Sequence, residues 1–363
     1  MTDSLAPDER IARLRLMRSE TIGPVTYWQL VMRFGSAAAA LEAIPALAVR
    51  GGGRAPVLFS SDAARREADR VDALGARYLF RGDPDYPALL AEVESAPAAV
   101  IAQGRFDLLE RPAIAMVGAR NASAAACRFA RQLAQGLGSA GTVVVSGLAR
   151  GIDTAAHDGA LESGTIAVVA GGIDIFYPPE NEQRQRIIAE RGLLLSEQPP
   201  GLEPRARHFP SRNRIIAGLA TGTVVVEAAP KSGSLITARH AAEFGRDVMA
   251  VPGSPLDPRA QGCNQLIRDG AILVQCAEDV LESVQPWQIR PMAEEGSEYR
   301  SEPPGDIAAG QRETVTGLLS PTPVAVDEIV RQSGLAPAVV QTVLLELELA
   351  GRLERHAGGR VSL

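Results

Sequence analysis

At 363 residues the chain is long for one domain and suits two or three, and 46 % apolar residues with only 4 % aromatics allow a sizeable core built from small aliphatic side chains. Its 37 basic against 43 acidic side chains, a net charge of −6, exclude whole-surface attraction to nucleic acid or anionic lipid but leave room for a local basic cleft. The polar, acidic start "MTDSLAPDER" is no signal peptide, no apolar run approaches the ~18 residues of a membrane span, and Cys127, Cys263 and Cys276 lack CxxC spacing, so the expectation is a soluble cytoplasmic protein with reduced thiols and no membrane contact.

The first domain, residues 1–80, reads as short helices. "DERIARLRLMRSE" sets Ile11, Leu14, Leu16 and Met17 at helical spacing. "IGPVTYWQLVMRFGS" turns at Gly23–Pro24 and runs as an amphipathic helix to Gly35, and "SAAAALEAIPALA" gives another. Helices joined by glycine turns resemble a SAM-like or helix-hairpin-helix bundle, a module that either touches DNA backbones or only packs.

The second domain, 81–285, opens with a proline-punctuated connector, 81–112. From Ala113 short β-branched runs recur, most ending in glycine or an acid and each followed by a helical stretch: 113–118, 142–147, 165–172, 193–197, 223–228, 247–253 and 271–275. Nearly unbroken apolar strands are buried on both faces, and alternation with helices makes the sheet parallel. The predicted fold is α/β, a doubly wound Rossmann-like parallel sheet flanked by the helical domain and a C-terminal winged helix. Residues 286–311, rich in Pro, Glu, Gly and Ser, read as a linker. Residues 312–363 follow the winged-helix order of three helices and a hairpin around Gly358–Gly359. The third helix, "APAVVQTVLLELELAG", has no cation and carries Glu346 and Glu348, so protein contact or self-association is expected of it rather than groove reading.

In an open parallel sheet ligands bind beyond the carboxyl ends of the strands. There the chain places Gly118, Arg120 and the potential helix caps Asn121 and Ser123, then Ser146, Gly147, Arg150 and Gly151, then the loop Phe176–Pro179, whose aromatics either stack on bases or pack. Arg205, Arg207, Arg212 and Arg214 follow, with a helix expected to open at Ser211, and then the loop Lys231–Ser232–Gly233. Asp153 and His157 share one helix face but lack the further ligands of a zinc site, so no metal and no cofactor is expected. The turn after the first strand, "VGARNAS", is not GxGxxG, and the sequence has no P-loop, GxSxG or acid cluster. Spaced cations without a catalytic constellation point to several phosphates in a row, hence a single strand of nucleic acid lying along the sheet edge.

The motifs "VGARNAS", "SGLARGIDTAAH", "GGIDIFYPPEN", "FPSRNRIIAGLA", "EAAPKSGSLITARHAAEFGRDVMAVPG" and "GCNQLIRDGA", in this order, resemble the DNA-processing protein A (DprA, or Smf) family. The resemblance implies a non-enzymatic, dimeric single-stranded DNA-binding protein of natural transformation that protects incoming DNA and helps load RecA. It implies a DNA pocket of Gly118, Arg120, Ser146, Gly147, Arg150, Gly151, Arg212, Asn213, Arg214, Lys231, Ser232 and Gly233, joined by Ser123, with Asp153 and His157 shaping it. The competing reading is a Rossmann-like nucleotide-binding enzyme of the phosphoribohydrolase type. Lys231 in "VVVEAAPKSGS" departs from the small residues such enzymes carry. A homodimer through the late sheet domain follows from the apolar excess in "CNQLIRDGAILVQCAEDVLESV".

Overall fold

The computed structural model describes residues 6–284, 307–356 and 358–363. The chain divides into two units: one joins the helices up to Arg66 with the C-terminal module, and the other starts at Glu67 and holds the large sheet. Most of the expected linker, 286–311, lies outside the described residues; its last residues already enter a helix at Ala309.

In the first unit α1 (Pro7–Arg18), α2 (Pro24–Phe34) and α3 (Ala37–Arg50) form the expected bundle. Pro24 opens α2, and Gly35, at φ 74°, closes it in the left-handed conformation that glycine adopts without strain. The Ser36 side chain caps α3 by accepting from the Ala39 amide. The helix α4 (Ser61–Ala73) then carries the chain into the second unit.

That unit follows as β1 (Arg77–Phe80), α5 (Ala88–Ala91), β2 (Ala99–Gly104), β3 (Ala113–Val117), α6 (Ala124–Ser139), β4 (Val143–Ser146), α7 (Ile152–Ala160) and β5 (Thr165–Val169). It continues with α8 (Glu182–Arg191), β6 (Leu193–Ser196), α9 (His208–Gly218), β7 (Gly222–Val225), α10 (Ser234–Glu243), β8 (Asp247–Ala250), α11 (Gln261–Arg268), β9 (Ile272–Leu273) and α12 (Ala277–Val284). Among the described residues these strands make a nine-stranded sheet ordered β1-β2-β6-β5-β4-β3-β7-β8-β9. Strands β3 to β9 are parallel. Strand β2 joins β6 antiparallel, and β1 joins β2 antiparallel. These last two were not expected: one fell in the helical domain, the other in the connector. Each is a short run that becomes a strand only by pairing with a partner distant in sequence.

The period-two pleat splits β3 between two cores. Ala113, Ala115 and Val117 face one with Val145, Ile166, Leu195 and Ile215. Ile114 and Met116 face the other with Leu133, Leu137 and Val144.

The C-terminal module comprises α13 (Ala309–Gly317), β10 (Val324–Ala325), α14 (Val326–Ser333), α15 (Pro337–Leu349), β11 (Glu354–His356) and β12 (Arg360–Ser362), with sheet order β10-β12-β11. This is a winged helix whose core gathers Val315, Ile329, Val340, Leu344 and Val361.

Candidate nucleic-acid interface

The chain winds outward through β3, β4, β5 and β6, then returns through α9 to β7 on the other side of β3. The loops beyond the carboxyl ends of these strands are packed on one another. Gly151 has φ 77°, and a Cβ there would lie 2.2 Å from the Ala119 carbonyl oxygen, so the loops after β3 and β4 meet backbone to backbone. Gly118 is constrained likewise: its Cβ would sit 2.6 Å from Ile152 Cγ1.

Beneath the loops lies a buried polar floor. The Asp153 carboxylate accepts from the Gly147 and Ala149 amides at 3.2 and 3.3 Å. The Ser146 hydroxyl donates to the Met116 carbonyl at 2.6 Å. Arg212 is buried, donates to the Val168 carbonyl at 2.6 Å, and lies so close over Gly147 that a Cβ would be 1.9 Å from its Nη1. Burial lowers the Arg212 pKa to about 10, opposed by the charge of Asp153. Burial raises that of Asp153, opposed first by Arg212 and then by the two amides.

His157 is fixed as one tautomer. The Thr165 hydroxyl donates to the Val144 carbonyl, so its oxygen accepts from His157 Nδ1–H at 2.7 Å. Nε2 is then an unprotonated nitrogen, buried without a hydrogen-bond partner. Protonation would place a charged N–H in that apolar spot, and burial accordingly lowers the pKa to about 3.

Above the floor is a cavity of about 220 Å³ lined by Arg120, Gly147, Arg150, Tyr177, Phe209 and Arg212 among others. The exposed Arg120 places its guanidinium 5.1 Å from the centre of the Phe209 ring. The Tyr177 ring stands 5.5 Å from Phe209, tilted by 54°. Arg150 reaches Glu180 at 3.4 Å, but both side chains are more than half exposed, so water screens the pair. Cations beside solvent-reaching aromatic rings suit a ligand that is both anionic and planar.

The remaining expected residues surround the cavity or are spent elsewhere. Ser123 caps α6 through the Ala126 amide and donates to Glu227 at 2.8 Å. Arg214 donates to the Ser95 carbonyl and pairs with Glu197 at 2.5 Å, largely out of solvent. Asn213 donates to the Gly233 carbonyl at 3.2 Å, tying α9 to the loop before α10. In that loop the Ser232 and Ser234 hydroxyls are 2.7 Å apart, and Lys231 is exposed. Lys231 is also the sole lysine among the 37 basic residues of the sequence.

Helix α9 begins at His208, not at Ser211. Its inward face is His208, Arg212, Ile215 and Ile216, which explains why Arg212 turns into the core. Arg205 and Arg207, ahead of the helix, face solvent. The pKa of His208 is lowered first by burial and then by the charges of Arg207 and Arg205. Sequence reasoning passed over Phe209; its signal was an aromatic on the first turn of a helix at the ligand edge. Among the described residues no group of three or more His, Cys, Asp or Glu side chains is placed to hold a metal, and no single helix is long and apolar enough to cross a membrane.

Residues 77–285 match the family described as DNA recombination-mediator protein A, residues 7–69 a DprA-like N-terminal HHH domain, and residues 300–359 a DprA winged helix domain. The chain is 37 % identical to Protein Smf of Synechocystis sp. over 316 residues, 78 % of this chain and 79 % of that protein. It is 49 % identical to DNA processing protein DprA of Streptococcus pneumoniae over 201 residues, 55 % of this chain and 71 % of that one. The X-ray structure of DNA processing protein A from S. pneumoniae matches with a TM-score of 0.64 at 37 % identity, covering 77 % of this chain and 99 % of that chain. The Helicobacter pylori DNA processing protein A, studied for its single-stranded DNA binding mode, matches with a TM-score of 0.53 at 27 % identity, covering 58 % and 96 %.

Proposed function

The chain belongs to the DNA recombination-mediator protein A family, and from that premise we propose that it binds single-stranded DNA along the carboxyl edge of its parallel sheet. The observation that carries the reading is the Arg120 guanidinium over the Phe209 ring beside Tyr177, at the mouth of a cavity with a cationic floor. Arg120, Arg150, Arg205, Arg207 and Lys231 offer charge to successive phosphates, and the two aromatic rings offer faces to bases. The buried residues Ser146, Asp153, His157 and Arg212 hold the glycine loops in place, with Gly118, Gly147 and Gly151 allowing their close approach. The single-stranded DNA binding studied in the H. pylori relative supports this assignment.

The protein then acts without catalysis in the cytoplasm, in natural transformation and recombination, protecting a strand and helping to load RecA. The phosphoribohydrolase reading is disfavoured because Glu227, in the segment where such an enzyme would keep its glutamate, accepts from Ser123 instead. Dimerisation through the late sheet domain fits the far edge of the sheet. There β9 is a two-residue edge strand with Ile272 and Leu273 37 % and 43 % exposed, an edge that a second copy would cover. Light scattering at micromolar concentration tests it: a dimer is expected, and Ile272→Glu should give a monomer.

The test of the DNA site is anisotropy of labelled oligo-dT across salt concentrations. Arg120→Ala should weaken binding by about 10- to 150-fold, the loss of one charge-assisted hydrogen bond of ~1.5–3 kcal/mol. Parental affinity in a folded Arg120→Ala protein would rule out this edge as the DNA site.

A further inference from the structure

We propose that the winged helix and the N-terminal helices are two halves of one obligate domain, and that α15 is committed to this union rather than to nucleic acid. Winged helices place the third helix in the DNA groove. Here residues 342–349 of α15 are all buried. What covers part of that surface is the chain's own α2 and the turn after α3.

Three polar residues on one face of α2, at helical spacing, reach the C-terminal module. Thr26, fully buried, donates to Glu348 at 2.5 Å. Gln29 donates to Gln341 at 3.1 Å. Arg33 donates to the Thr342 hydroxyl at 3.0 Å. Glu348 is shared, since its other oxygen accepts from Arg355 of the wing at 2.8 Å. A buried carboxylate satisfied from both halves fixes one register between them, because any shift would leave it short of partners.

A glycine notch gives an independent sign of the same union. The turn Gly51–Gly52–Gly53 lies against the end of α15. A Cβ on Gly51 would stand 2.0 Å from the Glu346 carbonyl oxygen, and one on Gly53 2.3 Å from that of Ala350. The Gly51 carbonyl accepts from Arg352 at 3.2 Å. Backbone approach this close requires glycine on one side and a fixed partner on the other. The sheet domain is thus an insertion within a domain whose halves come from both ends of the chain.

The test uses the full chain with a site-specific protease sequence inserted between residues 290 and 300. After cleavage the C-terminal fragment should co-elute with the rest in gel filtration at about 1 µM, an affinity tighter than micromolar. Separation of the fragments would overturn the proposal. In the uncut chain, Gly53→Val should raise amide exchange across α15 as well as in the mutated turn. Faster exchange confined to residues 37–56 would overturn it too.

Discussion

Two helices occupy the DNA-facing positions of their fold classes, α9 at the ligand edge of the sheet and α15 as the third helix of the winged helix, and they differ in what they leave facing water. Helix α9 and the turn before it carry four arginines, of which Arg212 is buried and Arg214 is paired with Glu197, while Arg205 and Arg207 stay exposed. Helix α15 offers no cation, and the surface of its residues 342–349 is taken up inside its own unit. On this count the third helix of the winged helix is the poorer surface for phosphates. Solvent-facing charge next to aromatic faces, rather than motif class, separates the two regions.

The comparison breaks most visibly if the sheet edge loses its floor. His157 is buried neutral with a pKa of about 3 against 6.5 unfolded, so the unfolded chain binds more protons between those values. Stability is complete above about pH 6.5 and falls as the pH drops toward 3, by at most about 4–5 kcal/mol. Calorimetric melting of the sheet domain across this range should show the slope, and His157→Asn, which keeps a donor for Thr165, should flatten it. Next comes Gly151→Ala, which forces a side chain into a positive φ and against the Ala119 carbonyl. A loss of about 2–4 kcal/mol is expected, read by thermal unfolding, with weakened DNA binding.

A finer test separates the arginines. Arg205→Ala and Arg207→Ala together should flatten the salt dependence of oligo-dT binding by roughly 0.7 for each phosphate they no longer neutralise. Arg214→Gln should lower melting temperature while leaving that slope alone, because Glu197 already neutralises the charge. The smallest effect belongs to the winged helix. Arg331, 74 % exposed and paired locally with Glu328, can be replaced by Ala with less than about a twofold change in affinity, the level of a screened surface pair. A tenfold drop there would erase the distinction between the two regions.

Much of this was legible in the chain because the strands are short apolar runs, most of them closed by glycine or an acid, so their positions and the ligand edge follow together. The two antiparallel strands were hidden. "AVIAQG" sits among prolines and gains its identity from β6, a partner no local pattern reveals. At the site, residue types were readable but not their orientations. With the helix start at His208, Arg212 falls on the stripe of Ile215 and Ile216 and goes inward. Its place three and four residues before those isoleucines was the available signal. The fate of Arg214 depended on Glu197, which arrives through tertiary structure.

The exposed loop before α10 has one more use. Because Lys231 is the only lysine in the sequence, an amine-selective acylating reagent meets a single side-chain target besides the chain's α-amino group. Mass spectrometry of the acylated protein therefore reads one loop directly. A strand bound along the edge should slow that acylation in proportion to occupancy, with the α-amino group as internal reference. The composition of the chain has left a built-in chemical reporter at the place where the nucleic acid is proposed to lie.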